Sequence, residues 1–165
     1  MVDSVDVLPN PHWVTFSPDG NFAYIANHES NVLSVLDTGS RTVIKTINVG
    51  TSPHSVAISP EGTQVAVVCF NSNDVYFVDA ATNQVLGTAA LGTNPQDISY
   101  SPDGRYVYTA NVESDTVSVI DTETRTVTAT IPTDSPTSVA VSPNGSRAYV
   151  TNLDSGTVTI LKTSW

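Results

Sequence analysis

Short runs of alternating apolar and polar residues fill the chain, and their order repeats. Phe22-Ala23-Tyr24-Ile25-Ala26 is followed by Val32 to Leu36 and by Thr42 to Val49, and the same succession then begins again. A period of two places successive side chains on opposite faces, so each run predicts a β-strand. No stretch sustains helical spacing. The turn Ser17-Pro18-Asp19-Gly20 recurs as Ser59-Pro60-Glu61-Gly62, Ser101-Pro102-Asp103-Gly104 and Ser142-Pro143-Asn144-Gly145, at spacings of 42, 42 and 41 residues. A repeat of this length made of short strands predicts propeller blades or another repeat array.

Each repeat opens on a proline-led segment: Pro11-His12-Trp13-Val14, Pro53-His54-Ser55-Val56, Pro95-Gln96-Asp97-Ile98 and Pro136-Thr137-Ser138-Val139. A short strand such as Val14-Thr15-Phe16 or Val56-Ala57-Ile58 leads into the turn. Proline presets φ at the second turn position and glycine accepts the left-handed conformation at the end, which predicts a tight hairpin. The second strand, Tyr106 to Ala110 in repeat three, ends at a register position held by Asn27, Cys69, Asn111 and Asn152. After a polar loop, third strands run over Val32–Leu36, Val75–Val78, Val117–Ile120 and Val158–Leu161. They stop at Asp37, Asp79 and Asp121, with Lys162 in the fourth repeat. Fourth strands are expected at Thr42–Val49, Gln84–Leu91 and Thr126–Ile131. Four antiparallel strands per repeat is one blade.

Tyr149-Val150-Thr151-Asn152 spells the motif that gives the YVTN repeats their name, and Tyr24-Ile25-Ala26-Asn27 and Tyr108-Thr109-Ala110-Asn111 are variants of it. Over essentially its whole length the chain resembles the YVTN family of β-propeller repeats. Repeat two departs from the pattern at Val67-Val68-Cys69. The resemblance implies rings of seven or so narrow blades. It includes surface-layer proteins as well as propellers that act as lyases, lactonases or metal-dependent enzymes at the channel mouth.

The fourth repeat stops after its third strand, at the end of the chain. Aligning Pro11 with Pro53 sets Val2, Val5 and Val7 against Ile44, Ile47 and Val49, so residues 2–7 read as a fourth strand without a blade. The expected fold is all-β: a β-propeller with four blades of four antiparallel strands, at 11–49, 53–91, 95–131 and 136–165 plus 2–7, closed by the N-terminal strand. That strand would complete either its own last blade, giving a four-bladed monomer, or a partner's, giving an eight-bladed ring from a homodimer. Four-bladed closure needs each blade to turn the ring by about 90°, so the dimer is favoured. A piece of a longer propeller is the third reading, against which the complementary ends argue.

Composition narrows the partners. Six Lys plus Arg face sixteen Asp plus Glu, for a formal net charge of −10. Nucleic acid and anionic membrane surfaces call for basic patches instead. No apolar run reaches the length of a membrane span, so no membrane insertion is expected. Cys69 is the single cysteine, so no disulfide forms within one chain. A full chain of this kind would be cytoplasmic, and one trimmed of an export signal would be extracellular or on the cell surface.

Candidate chemistry is sought where residues break the repeat. All three histidines fall on the face made by the loops leading into the inner strands and those joining strands two and three. His12 and His54 hold equivalent positions beside the central channel, where Gln96 and Thr137 stand in the other blades. His28 and Glu29 occupy a strand-two-to-three loop. Neutral imidazoles at a channel mouth suit a divalent transition metal, with His12 and His54 as ligands and Glu29 adding a carboxylate. The competing role is hydrogen bonding to neighbouring backbone, since no local ligand spacing supports a metal. Trp13 replaces the small residues of other repeats and would floor a ligand site or fill a gap. Cys69 would be a nucleophile beside His54 or, more simply, a small buried thiol. The recurrent Asp19, Asp37, Asp79, Asp103 and Asp121 read as turn formers.

Three functions follow. The first is a binding scaffold for a protein or small polar ligand, using His12, Trp13, His28, Glu29, His54 and Gln96 and no cofactor. The alternative is a channel-mouth enzyme using His12, His54 and Glu29. The third is a module that exists to self-associate.

Overall fold

A computed structural model describes residues 4–163. Fifteen antiparallel strands form four sheets. Blade one holds β1 (Pro11–Phe16), β2 (Phe22–Asn27), β3 (Val32–Asp37) and β4 (Thr42–Asn48). Blade two holds β5 (Pro53–Ile58), β6 (Gln64–Cys69), β7 (Asp74–Asp79) and β8 (Gln84–Ala90). Blade three holds β9 (Pro95–Tyr100), β10 (Tyr106–Asn111), β11 (Thr116–Asp121) and β12 (Thr126–Pro132). Blade four has three strands, β13 (Pro136–Val141), β14 (Arg147–Asn152) and β15 (Thr157–Lys162). The one described helix is a short 3₁₀ turn, Val112–Ser114, and no described helix is long and apolar enough to cross a membrane.

The inner strands begin at the prolines, earlier than the alternation suggested, because a β-bulge lets the lead-in residues join the ladder. The Ser-Pro-Asp-Gly turns close as expected. Gly20 donates to the Ser17 carbonyl at 2.8 Å with φ +73°, and the Asp19 carboxylate accepts from the Asn21 amide at 3.0 Å. Asp37, Asp79 and Asp121 each accept a backbone N–H three residues on, at 2.7, 2.7 and 2.8 Å. These local bonds hold the three carboxyls below the ordinary Asp range.

Apolar packing runs between blades. Tyr24, Ala26, Leu33 and Val35 of blade one meet Val56, Val65, Val67 and Val78 of blade two. The same two register positions meet again as Val68, Val75 and Phe77 against Ile98, Val107 and Ile120, and as Tyr108, Ala110, Val117 and Val119 against Val139, Ala148 and Val150. Every blade therefore has a trailing face, which receives the next blade, and a leading face, which packs onto the previous one. A backbone latch accompanies each junction. Asn31 Oδ1 accepts from the Ser52 amide at 2.9 Å, Asn73 Oδ1 from Asn94 at 2.8 Å and Asp115 Oδ1 from Ser135 at 2.8 Å. In blade four the latch position is Gly156, at φ +62°, which has no side chain to offer.

Buried polar pairs mark the ends of the second strands. Asn27 Nδ2 donates to Ser34 Oγ at 2.9 Å, Asn111 to Ser118 at 2.9 Å and Asn152 to Thr159 at 2.7 Å. Blade two replaces both partners together, with Cys69 and Tyr76.

The inner strands pack in series, β1 on β5, β5 on β9 and β9 on β13. Among the described residues no comparable packing joins β13 to β1, so the four blades form an open arc and not the closed four-bladed monomer. In the single chain residues 4–7, part of the closing strand expected over residues 2–7, carry no strand. Its first valine, Val2, lies outside the described residues. Alternation at Val5 and Val7 gives strand propensity without naming the strand to pair with.

Candidate functional site

The bulges at the head of each inner strand position the site. His12 and His54 sit in bulges between the paired residues Pro11 and Trp13, and Pro53 and Ser55. A bulge turns its extra side chain out of the sheet's alternation, and bulges are frequent beside functional sites for that reason. The two rings lie at a centroid distance of 4.0 Å, tilted by 40°. His28 stands 5.7 Å from His12 and 6.1 Å from His54. The loop carrying Phe70 closes the group, with Phe70 stacked on His54 at 5.4 Å.

Backbone carbonyls fix the tautomers. His12 Nδ1 lies 3.2 Å from the carbonyl of His54, and His54 Nδ1 lies 2.7 Å from that of Gln96. A carbonyl only accepts, so each Nδ1 carries a proton, and in the neutral ring the lone pair is left at Nε2. Burial lowers the His54 pKa, and the neighbouring His12 and His28 add to the effect against the opposing Gln96 bond. His54 is thus a neutral imidazole with a free acceptor nitrogen at ordinary pH.

This shift sets a pH dependence. With the folded pKa below the ordinary 6.5, the unfolded chain takes up the proton first as pH falls. Stability is therefore full above the unfolded value and declines as pH drops through it toward the folded one. Urea denaturation from pH 8 to 5 should show that decline, and His54→Gln should remove part of it. Asp19 and Asp103, with folded pKa values below 3.8, act in a separate window below that value.

The other expected site residues divide. Gln96 belongs to the group through its carbonyl. Glu29 accepts a bond from Asn10 Nδ2 at 3.3 Å. Among the described residues no three His, Cys, Asp or Glu side chains are placed to hold a metal ion. His12 and His54, expected as metal ligands, lie against each other with their Nδ1 atoms bonded to backbone carbonyls, and Glu29 is engaged with Asn10. Trp13 is half-exposed on β1, and the ring contacts of the group run through His12, His28, His54 and Phe70 without it.

Cys69 is fully buried, and burial, with Asp74 nearby, pushes its thiol up to about 12. A buried thiol held protonated is a poor nucleophile, in keeping with a packing role. Alkylation at pH 8 should be about a thousandfold or more slower in the folded protein than in urea, since it must wait for opening.

Two residues escaped the sequence reading. Phe70 stands where blade one has His28, a visible break in the repeat. Asp97 stands where the other blades have Trp13, Ser55 and Ser138. It laces three blades together: Oδ1 accepts from Ser55 Oγ at 2.9 Å, and Oδ2 from Ser138 Oγ at 2.7 Å and the Val139 amide at 3.0 Å. Its signal was a lone carboxylate at a position otherwise uncharged.

Two clefts of about 400 Å³ lie on the opposite face, among the Ser-Pro-Asp-Gly turns. One is floored by Phe22 and Tyr24, the other by Tyr106 and Tyr108. They recur at the same repeat position and follow from blade geometry, whereas the imidazole group breaks the repeat.

A family model described as "Lactonase, 7-bladed beta-propeller" matches residues 13–88 and 79–164. Hydrazine synthase of Kuenenia stuttgartiensis is a similar solved structure, with a TM-score of 0.89 at 27% identity over 96% of this chain and 47% of that one. A functionally unknown protein from Desulfotomaculum acetoxidans DSM 771 superposes with a TM-score of 0.78 at 22% identity, over 92% of this chain and 55% of that one. The chain thus spans about half the length of each. No curated protein matches it.

Proposed function

This chain belongs to the lactonase, 7-bladed β-propeller family, and we propose that it serves as a ligand-binding propeller element working through the His12–His28–His54 face. The carrying observation is that three imidazoles and Phe70 gather on the face where the repeat is broken, while the opposite face carries the recurring Ser-Pro-x-Gly turns. Two Nε2 lone pairs accept hydrogen bonds, and the ring faces offer apolar contact. Such a surface suits a small hydroxylated ring. A net charge of −10 repels anions at long range, which favours a neutral ligand over an acid.

A second reading is hydrolysis of a ring ester. It draws on the family description and on one feature of His54, a neutral imidazole held in a single tautomer, which is what a general base requires. His12 and Glu29 would assist. Histidine-selective NMR during titration with a neutral sugar δ-lactone, its open acid and the parent sugar separates the two. Shifts at His12 and His54 with the neutral rings, without turnover above the spontaneous rate, support the binding element. Turnover lost in His54→Gln supports the enzyme. Unperturbed histidines with no turnover overturn both.

A further inference from the structure

We infer that the cleft between blades one and two, on the face opposite the histidines, binds a guanidinium group, carried by a small alkylguanidine or by an arginine side chain. The inference is independent of the ligand reading above. The cleft, of about 400 Å³, is lined only by residues from Ser17 to Ala81, so it belongs to one internal blade junction. Asp19, Phe22, Tyr24, Glu61 and Asp79 supply its chemistry.

The first observation is Tyr24. Its ring packs in the core of the junction and the residue is 1% exposed, yet it also lines the cleft. Burial, with the Asp19 and Asp79 carboxylates, raises the pKa of its phenol, which sets the hydroxyl beside two acids of the cleft wall. That hydroxyl makes no hydrogen bond to any described residue. A buried polar group without a partner is costly, and a ligand donor removes the cost. Hydrogen bonds from Ser17 and Thr82 hold Asp19 and Asp79 below the ordinary Asp range, so both are anionic at neutral pH. Asp79 Oδ1 accepts from the Thr82 amide and hydroxyl, each at 2.7 Å, and its Oδ2 is bonded to no described residue. Glu61 lines the cleft as well, its carboxylate lying against Gly104 of the next turn.

The second observation is the equivalent cleft between blades three and four. Its turn reads Ser101-Pro102-Asp103-Gly104-Arg105-Tyr106 against Ser17-Pro18-Asp19-Gly20-Asn21-Phe22. Arg105 lies over the Tyr106 ring, with its guanidinium carbon 5.4 Å from the centroid. There Asp103 is the lining carboxylate and Arg105 balances it. Asn144 and Lys162 hold the positions of Glu61 and Asp79. The second cleft thus carries its own guanidinium on its own aromatic ring. The first keeps the ring as Phe22 and has three carboxylates, while exposed Asn21 holds the arginine position and donates to Asp19 Oδ2 at 2.7 Å. A guanidinium from outside restores the pairing. Its flat face stacks on Phe22, and its N–H groups reach Asp79 Oδ2 and the Tyr24 oxygen. It only donates, and both of these atoms accept. A net charge of −10 draws such a cation in at long range.

Amide NMR of the 165-residue protein, titrated with butylguanidine at constant ionic strength, tests this. Saturable shifts are expected in residues 17–24 and 61–81, without comparable shifts in 101–106. Butylurea, of the same shape without the charge, should produce none. Asp79→Asn keeps the turn bonds and should weaken binding about tenfold, the loss expected for one charge-assisted bond. Asn21→Arg copies Arg105 at an exposed position, and should abolish binding while leaving the urea midpoint unchanged. Acetyl-Gly-Arg-Gly-amide, titrated in parallel, separates the sources. Tighter binding than butylguanidine assigns the site to an arginine in a peptide chain, and equal or weaker binding assigns it to a small guanidine. No saturable shift, equal shifts with butylurea or butylammonium, or wild-type binding in Asn21→Arg would each overturn the inference.

Discussion

Replacing Tyr108 with alanine is expected to destabilise the protein by about 3–4 kcal/mol, the range for emptying a buried aromatic site. Tyr108 is enclosed between blades three and four, with Ala110, Val117 and Val119 on its own side and Val139, Ala148 and Val150 opposite. The same substitution at Tyr149 is expected to cost less than about 1 kcal/mol in the monomer, as at other open surface sites. Both tyrosines hold the same repeat position in the same type of strand. Strand propensity therefore cancels in the comparison, and the visible difference is coverage by a following blade. Urea denaturation of the two variants at low protein concentration measures the difference. Equal losses would mean that blade stability is internal to each sheet.

The second large effect is expected at Asp97. Its carboxylate accepts from Ser55 in the preceding blade and from Ser138 and Val139 in the following one. Asp97→Ala should cost about 2–3 kcal/mol, because charge-assisted bonds are strong and their donors lose a designed partner together. Asp97→Asn keeps an acceptor oxygen and should lose less. A double-mutant cycle with Ser55→Ala should show coupling between blades two and three. A variant as stable as the wild type would show that water replaces the carboxylate without loss.

These residues also mark what the sequence makes legible. The turn Ser17-Pro18-Asp19-Gly20 and its copies specify hairpins through bonds within a few residues, so spacing alone locates the blades. His12 and His54 could be placed side by side because equivalent positions in adjacent blades are neighbours by construction. The bond of His54 to the Gln96 carbonyl, the stacking of Phe70 and the bridging by Asp97 could not be read. Each depends on the wedge between blades, and no local pattern encodes that angle. The partner of the expected closing strand could not be read for a related reason: alternating valines before β1 define a strand face but leave the partner open. The family match extends from residue 13 to 164, in line with a propeller repeat read from spacing.

Because each sheet touches only the sheets beside it, the arc is a linear stack with two unequal ends. Blade four has one strand fewer, one covered face and a glycine in place of the latch residue, so less free energy holds it than holds blades two and three. Opening should begin there and travel inward one blade at a time. Amide hydrogen exchange in a single copy would then rise stepwise from β9 to β15, with the slowest amides in β6 and β7.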